Sequence, residues 1–490
     1  MNVEEFRKHG KALIDFIADY SANIESIDVL PKVEPGFLSP LIPDEISHDP
    51  EPFENIMKDV SEKIMPGLTH EHHPKYFAYY TSGVSFPGTL GDILASGLSV
   101  GVFNWINCPA GTELENIVMD WFAKALGLPK YFISDSPGSV GGGVLQNSAS
   151  ECIFISLLVA RAHVIEQLKG DSDLHDSVFL PKLVAYTSED AHYSMEKAAK
   201  MSLTRIRLIK TDSRGKMRVD VFKEAVLNDI NNGLIPFFVM ATLGTTGSAA
   251  YDNVYEIGKF SKTIPYMWFH IDGAYGANAF ILPEMRRFGE GMEYADSMNV
   301  NACKMLLVNF ESSAMWVKDV MIMKKALSAN PVYLQHDNEN KVSAIDYRNY
   351  GISLTRRMRS AKFWFVFRTY GLVGLQNHVR KLLILAKKFE KLVLDDDRFE
   401  VVNEVHLGLV CFRLKHSDDK TEKLLNIITN SRKMFMVPAR LNDKFVIRYC
   451  VMYEYTEERH IIESWKVITE VATHILGQSG CTNGSLNGHP

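Results

Sequence analysis

Between residues 86 and 360, short apolar runs at 183–186, 237–241, 267–271 and 306–310 alternate with stretches whose apolar residues recur at helical spacing. The runs show no in-and-out alternation, so a strand made from one of them is apolar on both faces. Strands of that kind need helices above and below, which predicts an α/β unit with a mostly parallel sheet. Among folds of this class, ligands gather outside the carboxyl ends of the strands, and chemistry-bearing residues are sought there first.

Two such residues stand out. Asp272 closes the run in HIDGAY, and Lys304 lies in NVNACKMLLVNF, read as the residue just before the strand 306–310. An acid and an amine of this kind fit the two ends of one pyridinium ring, as pyridoxal 5'-phosphate requires. The amine forms an exchangeable Schiff base, and the acid keeps the ring nitrogen protonated so that electrons released at a substrate α-carbon flow into the ring. Taken singly, the acid reads as a helix cap and the lysine as a solvated strand guard. PGSVGGGVLQNSASECIF places Gly141, Gly142 and Gly143 before a long helix that starts near Ala149 and Ser150. The free amides of such a start attract a phosphate, although a plain serine-capped turn has the same appearance. The loop is neither a dinucleotide fingerprint nor a nucleoside-triphosphate loop. ATLGTTGSAAYD adds Thr246 and Asp252 after another apolar run.

Charge and composition bound the alternatives. Lys and Arg total 53 against 59 acidic residues, a net charge of −6, which offers no basic field for nucleic acid or an anionic membrane. With 490 residues, 46% of them hydrophobic, the chain can bury a large core. Its six cysteines have no metal-ligand spacing, so no metal site is expected and the thiols read as reduced, in the cytoplasm. The first twenty residues lack a signal-peptide apolar core, and no apolar run reaches membrane-spanning length.

Four segments are expected. Residues 1–85 form a helical dimerisation segment: Phe6, Leu13, Phe16, Ile17 and Tyr20 make one apolar stripe, followed by a Pro-rich arm at 30–52 and a second helix. Residues 86–360 form the large cofactor-binding domain, 361–476 a smaller α+β domain, and the Gly-, Ser- and Asn-rich stretch 477–490 a disordered tail.

FRKHGKALIDFIADY, PGFLSPLIP, CPAGTELE, GGGVLQNSASE, ATLGTTG, HIDGAY, LLVNFESSAMWVKD and RRMRSAKFWFVFRTYG run collinearly through the chain. In these the chain resembles the pyridoxal-phosphate aromatic L-amino acid decarboxylases of group II, fold type I, especially their insect branch. The resemblance implies a homodimer whose N-terminal helices pack on the partner. It makes Lys304 the Schiff-base lysine, Asp272 the partner of the ring nitrogen and His192 the residue stacked on the ring. Ala149, Ser150, Thr246 and Asn301 would hold the phosphate or order the groups that do. Tyr333, in NPVYLQHDNENK, stands where the family has its catalytic loop tyrosine, which protonates the α-carbon. Tyr79, Tyr80, Phe103 and Thr355 are the candidate walls of an aromatic substrate pocket, each with plain packing as its alternative.

Within that family, His at position 192 goes with simple decarboxylation to an amine. Tyr79 points the same way. Tyr80 is more typical of the branch that consumes oxygen and releases an arylacetaldehyde, ammonia and peroxide. Met305 stands where the family has tryptophan, and three further departures, Cys303 for histidine, Gly273 for a ring-supporting alanine and Glu71 for an aromatic, suggest a third possibility, a weakly active paralogue. The expected activity is decarboxylation of an L-DOPA- or tyrosine-class amino acid.

Overall fold

A computed structural model describes residues 1–81, 83–329, 331–338 and 344–478. Its centre is a seven-stranded sheet in the order β1-β7-β6-β5-β4-β2-β3. The strands are β1 (Gly142–Gln146), β2 (Leu183–Ser188), β3 (Arg205–Ile209), β4 (Ile235–Thr242), β5 (Trp268–Asp272), β6 (Ser297–Asn301) and β7 (Ser313–Val317). The pairs β2–β3, β2–β4, β4–β5 and β5–β6 are parallel, whereas β7 runs antiparallel to both β1 and β6. The sheet is thus mixed and mainly parallel, with every residue of β1, β2, β5 and β7 buried, as the non-alternating runs imply.

Helix Ala149–Lys169 crosses one face of the sheet and buries Cys152, Ile153, Ser156 and Val159. Helix Pro109–Leu126 covers the other side of β1 through Val118, Met119 and Phe122, and its last turn ends on Gly127 in the left-handed conformation. A helical stretch, Ser360–Leu394, broken at Gly371 where φ is 61°, leads into a four-stranded antiparallel sheet in the order β10-β11-β9-β8. Its strands are β8 (Phe399–Val401), β9 (Leu409–Leu414), β10 (Val437–Leu441) and β11 (Lys444–Cys450).

The apolar run 306–310 corrects the sequence reading. It forms no strand; Leu306, Leu307 and Val308 are buried in a loop, with Leu307 at a φ of 60°, and the next strand starts at Ser313. A ladder is not needed there because Ser85 Oγ donates to the Leu307 carbonyl at 2.7 Å. Lys304 accordingly ends a short turn, Ala302–Lys304, that follows β6. The last helix runs Glu458–Gln478, so residues 477 and 478 are helical, and 479–490 lie outside the described residues. The N-terminal helix Val3–Ala22 carries the expected stripe, capped by Asn2 and Glu5, yet buries none of its residues within the chain. No helix among the described residues is long and apolar enough to cross a membrane.

Candidate active site

The parallel strands deliver their last residues to one edge of the sheet. Thr242 closes β4, Asp272 closes β5, and β6 ends at Asn301, three residues before Lys304. Helix Ala149–Lys169 begins at the same edge after β1, with Ser148 Oγ accepting from the Glu151 amide. One cavity opens there, and Ala149, His192, Thr246, Asp272, Lys304 and Tyr80 all line it. Six of the sequence candidates therefore meet in one place.

Burial holds the Lys304 amine below the usual lysine range, opposed by the attraction of Asp272. A lysine so shifted is more often neutral, as attack on a carbonyl carbon requires. Its Nζ sits 5.4 Å from the centre of the Tyr80 ring. That ring stacks on Tyr275 at 3.7 Å, and its hydroxyl donates to the Thr245 carbonyl at 3.1 Å. Burial likewise lowers His192, with Asp272 opposing. The Ser194 amide donates to His192 Nδ1 at 3.2 Å, which leaves the proton of the neutral ring on Nε2. Asp272 Oδ1 accepts from the Ala274 amide at 3.0 Å and from Asn299 Nδ2 at 3.1 Å.

The cavity has donors and acceptors in want of a ligand. Thr242 Oγ1 is buried without a hydrogen-bond partner. Among the described residues nothing donates to Asp272 Oδ2, and the Ala149 and Ser150 amides, at the first turn of their helix, donate to no protein acceptor. Gly244, at a φ of 86°, brings the chain so close to Gly276 that a Cβ would lie 2.8 Å from its nitrogen. Amides at a helix start suit a phosphate, an acid suits a protonated ring nitrogen, and a buried lysine held below its usual range suits an aldehyde. The residues present therefore fit pyridoxal phosphate.

Other candidates stand apart from the cavity. Ser150 and Asn301 adjoin it in sequence without lining it, and Asn301 Oδ1 accepts from Cys303 Sγ at 3.0 Å. Tyr79, at a φ of 56°, turns away from its neighbour Tyr80, is 55% exposed and meets Phe435 edge-on. Tyr333 is 79% exposed, Thr355 is exposed and Phe103 is half-buried. Asp252 lies behind the edge, where it accepts from the Met217 and Thr242 amides at 2.7 and 2.8 Å. Gly273 is also displaced from its expected place: a Cβ there would press on Ala277 Cβ at 2.5 Å, while Ala274 is the residue that lines the cavity. Thr242, Ser194, Gly244, Ala274 and Tyr275 line it too and were passed over in the sequence. Thr242 had a signal, since it ends the apolar run in ATLGTTG.

Known proteins agree with this geometry. The aromatic-L-amino-acid decarboxylase of Cavia porcellus is 46% identical over 477 residues, covering 97% of this chain and 99% of that protein. The structure of Catharanthus roseus tryptophan decarboxylase in complex with L-tryptophan superposes with a TM-score of 0.90 at 35% identity, covering 97% of this chain and 99% of that one. Rhodiola rosea 4-hydroxyphenylacetaldehyde synthase does so with a TM-score of 0.89 at 35% identity and the same coverage. Residues 35–415 match the pyridoxal-dependent decarboxylase conserved domain. An amine and an acid converging at the carboxyl edge, in a chain with these relatives, place it in the pyridoxal-dependent decarboxylase family, as a carboxy-lyase of fold type I that uses pyridoxal 5'-phosphate.

Proposed function

We propose that the chain decarboxylates an aromatic L-amino acid of the L-DOPA or tyrosine class to its amine, working as a homodimer in the cytoplasm. The observation that carries this reading is the shared cavity of Lys304, Asp272 and His192 beside the start of helix Ala149–Lys169. When bound, pyridoxal phosphate supplies the electron sink for cleavage of the bond between the α-carbon and the carboxylate. Lys304 would provide the amine that holds the cofactor. Asp272 would pair with the ring nitrogen, and His192, with its proton on Nε2, would stack on the ring. The Ala149 and Ser150 amides, with Thr246, take the phosphate. Tyr333 would return a proton to the substrate α-carbon.

The aromatic substrate is supported by the names of the relatives and by Tyr80, stacked on Tyr275 at the cavity wall. The dimer is supported by apolar surface left bare in one chain. Phe86, Leu90 and Leu94 recur along one exposed face of helix Phe86–Leu98, and Phe6 and Leu13 do so on the first helix. Sedimentation of the holoenzyme should give a dimer that Leu90→Glu with Leu94→Glu breaks into monomers; a monomeric wild type removes this part of the reading.

A second reading has its own observation. The Tyr80 ring lies against the Lys304 amine, and the Rhodiola aldehyde synthase shares the fold closely. In that reaction the amino acid, one oxygen and one water give aldehyde, carbon dioxide, ammonia and hydrogen peroxide. Incubation with L-DOPA and with tyrosine, while oxygen is monitored, separates the two. Carbon dioxide with an equal amount of amine and no oxygen uptake is expected; peroxide and ammonia in equal amounts would overturn it in favour of the aldehyde. The weakly active paralogue loses one of its motives, because Gly273 does not face the cavity.

A further inference from the structure

Strands β5 and β6 carry polar side chains on the face where an interior normally takes apolar ones. Trp268, His270 and Asp272 alternate along β5, Ser297 and Asn299 along β6, and the parallel register sets His270 against Ser297 and Asp272 against Asn299. His270, Ser297 and Asn299 are completely buried. The opposite face of the same strands, with Phe269, Ile271, Met298 and Val300, is apolar. Burying that many polar groups costs free energy unless each is paired, and here they pair with one another.

The pairing forms one line. Trp268 Nε1 reaches Ser297 Oγ at 2.8 Å, Ser297 Oγ reaches His270 Nδ1 at 2.8 Å, His270 Nε2 reaches Asn299 Oδ1 at 2.8 Å, and Asn299 Nδ2 reaches Asp272 Oδ1 at 3.1 Å. Its two ends leave no ambiguity of direction. An indole nitrogen only donates and a carboxylate only accepts. Asn299 must therefore turn its NH2 to Asp272 and its oxygen to His270, which must donate from Nε2. Ser297, taking the indole proton, gives its own to Nδ1 at 2.8 Å, the nearer of its two acceptors, Ser156 Oγ lying at 3.5 Å. Burial lowers His270 to about 4, so the ring is neutral and carries the single proton this direction requires. The Phe238 ring lies nearly parallel to the imidazole, with centres 6.0 Å apart, and holds its plane.

We infer that Asn299, His270 and Ser297 are positioning residues for Asp272: a one-way hydrogen-bond relay from Trp268 ends on Oδ1 and leaves Oδ2 for the cofactor ring nitrogen. The Ala274 amide makes the other contact to Oδ1. Without the relay Asn299 is free to flip, its oxygen then facing Asp272 Oδ1, and the carboxylate rotates out of line. Residues that hydrogen-bond to a working group from behind orient it and tune it. The inference rests on the reading that Asp272 faces the ring nitrogen.

The test uses holoenzyme loaded with pyridoxal phosphate carrying nitrogen-15 in the ring. His270→Leu removes the donor to Asn299, whereas His270→Gln restores it, with an amide NH for Nε2 and an oxygen for Nδ1. In His270→Leu the ring nitrogen resonance should move toward the unprotonated position and kcat should fall about tenfold to a hundredfold with KM little changed. His270→Gln should keep the wild-type resonance and most of kcat. A purely structural role would lower the thermal midpoint in His270→Leu and leave the resonance where it was, and that result overturns the inference. If His270→Leu does not fold, Ser297→Ala serves instead: a smaller shift of the resonance in the same direction is expected, and an unshifted one is equally fatal. Asp272→Asn separates this inference from the reading beneath it. Should Asp272→Asn keep both resonance and turnover, the placing of Asp272 at the ring has failed; should it lose both while the relay variants lose neither, only the relay has failed.

Discussion

The cofactor side and the substrate side of the candidate site are built differently. Asp272, Lys304, His192 and Ala149 hang from strand ends and a helix start, and meet around one cavity inside a single chain. Tyr79, Phe103, Tyr333 and Thr355 stand outside it, two of them more than half exposed. On the proposed reading most of the cofactor wall is assembled within one chain, while Tyr80 alone of the substrate candidates lines the cavity and the rest of that wall stands open. In the proposed dimer a second copy, docked on the bare apolar faces of the helices Val3–Ala22 and Phe86–Leu98, would close it. Variants on the two sides should then fail in distinguishable ways: on the cofactor side retention of the cofactor and turnover fall together, on the substrate side turnover falls alone.

The largest loss is expected at Lys304. Lys304→Ala should abolish the visible absorbance of the purified protein and cost on the order of 10⁶-fold in turnover, as removal of a covalent group does in other enzymes. Borohydride reduction and peptide mapping of the wild type should label position 304 and no other; a label elsewhere dissolves the contrast between the two walls at its root. Next comes Tyr333→Phe. A positioned proton donor is worth about 10²–10⁴-fold, so kcat should drop by that factor while absorbance and cofactor affinity stay at wild-type values. Loss of cofactor in Tyr333→Phe would move that loop to the other wall.

The contrast also explains what was legible in the sequence. Asp272 and Ala149 could be found because a strand end or a helix start is a local pattern, and at the carboxyl edge such ends converge. The run 306–310 misled because an apolar stretch buried in a loop and one buried in a sheet have the same composition. What settles the matter is where the backbone hydrogen bonds go, and the Ser85 hydroxyl on the Leu307 carbonyl is not written locally. Gly273 and Ala274 were exchanged for a related reason, since only the packing against Ala277 decides which neighbour faces inward. Thr242, Ser194 and Tyr275 needed the assembled edge. Tyr79, Phe103 and Thr355 are a harder case, because an exposed or half-buried residue has the same local pattern whether it meets solvent or a ligand.

Acid should separate the walls by a smaller amount. His270 has a folded value of about 4 against about 6.5 when unfolded. Between those values the unfolded chain takes up a proton that the folded one refuses. This contribution to stability is therefore complete above pH 6.5 and is lost as pH falls toward 4, to a total of roughly 3 kcal/mol. His270→Gln cannot take up that proton, so its thermal midpoint should fall less steeply over the same range at equal protomer concentration. His73 and His378, also lowered to about 4 by burial, act equally in both proteins. Parallel acid limbs would mean that the imidazole of the cofactor wall is open to water.

The smallest effect is expected at Thr355. The residue is exposed in the single chain and precedes Arg356, whose guanidinium donates to Glu115, to the Val102 carbonyl and to the Leu145 carbonyl in the interior. That anchor fixes the backbone beside Thr355 and leaves its side chain to whatever packs above. If this is the substrate ring, a methyl and a hydroxyl exclude the larger indole more than a phenol, and pocket differences of that size are worth about 1–3 kcal/mol. Thr355→Gly should raise kcat/KM for tryptophan relative to tyrosine by about tenfold, with absorbance and cofactor affinity unmoved. A ratio that does not change would remove Thr355 from the substrate wall, whereas a loss of cofactor would show that the two walls share their support through Arg356.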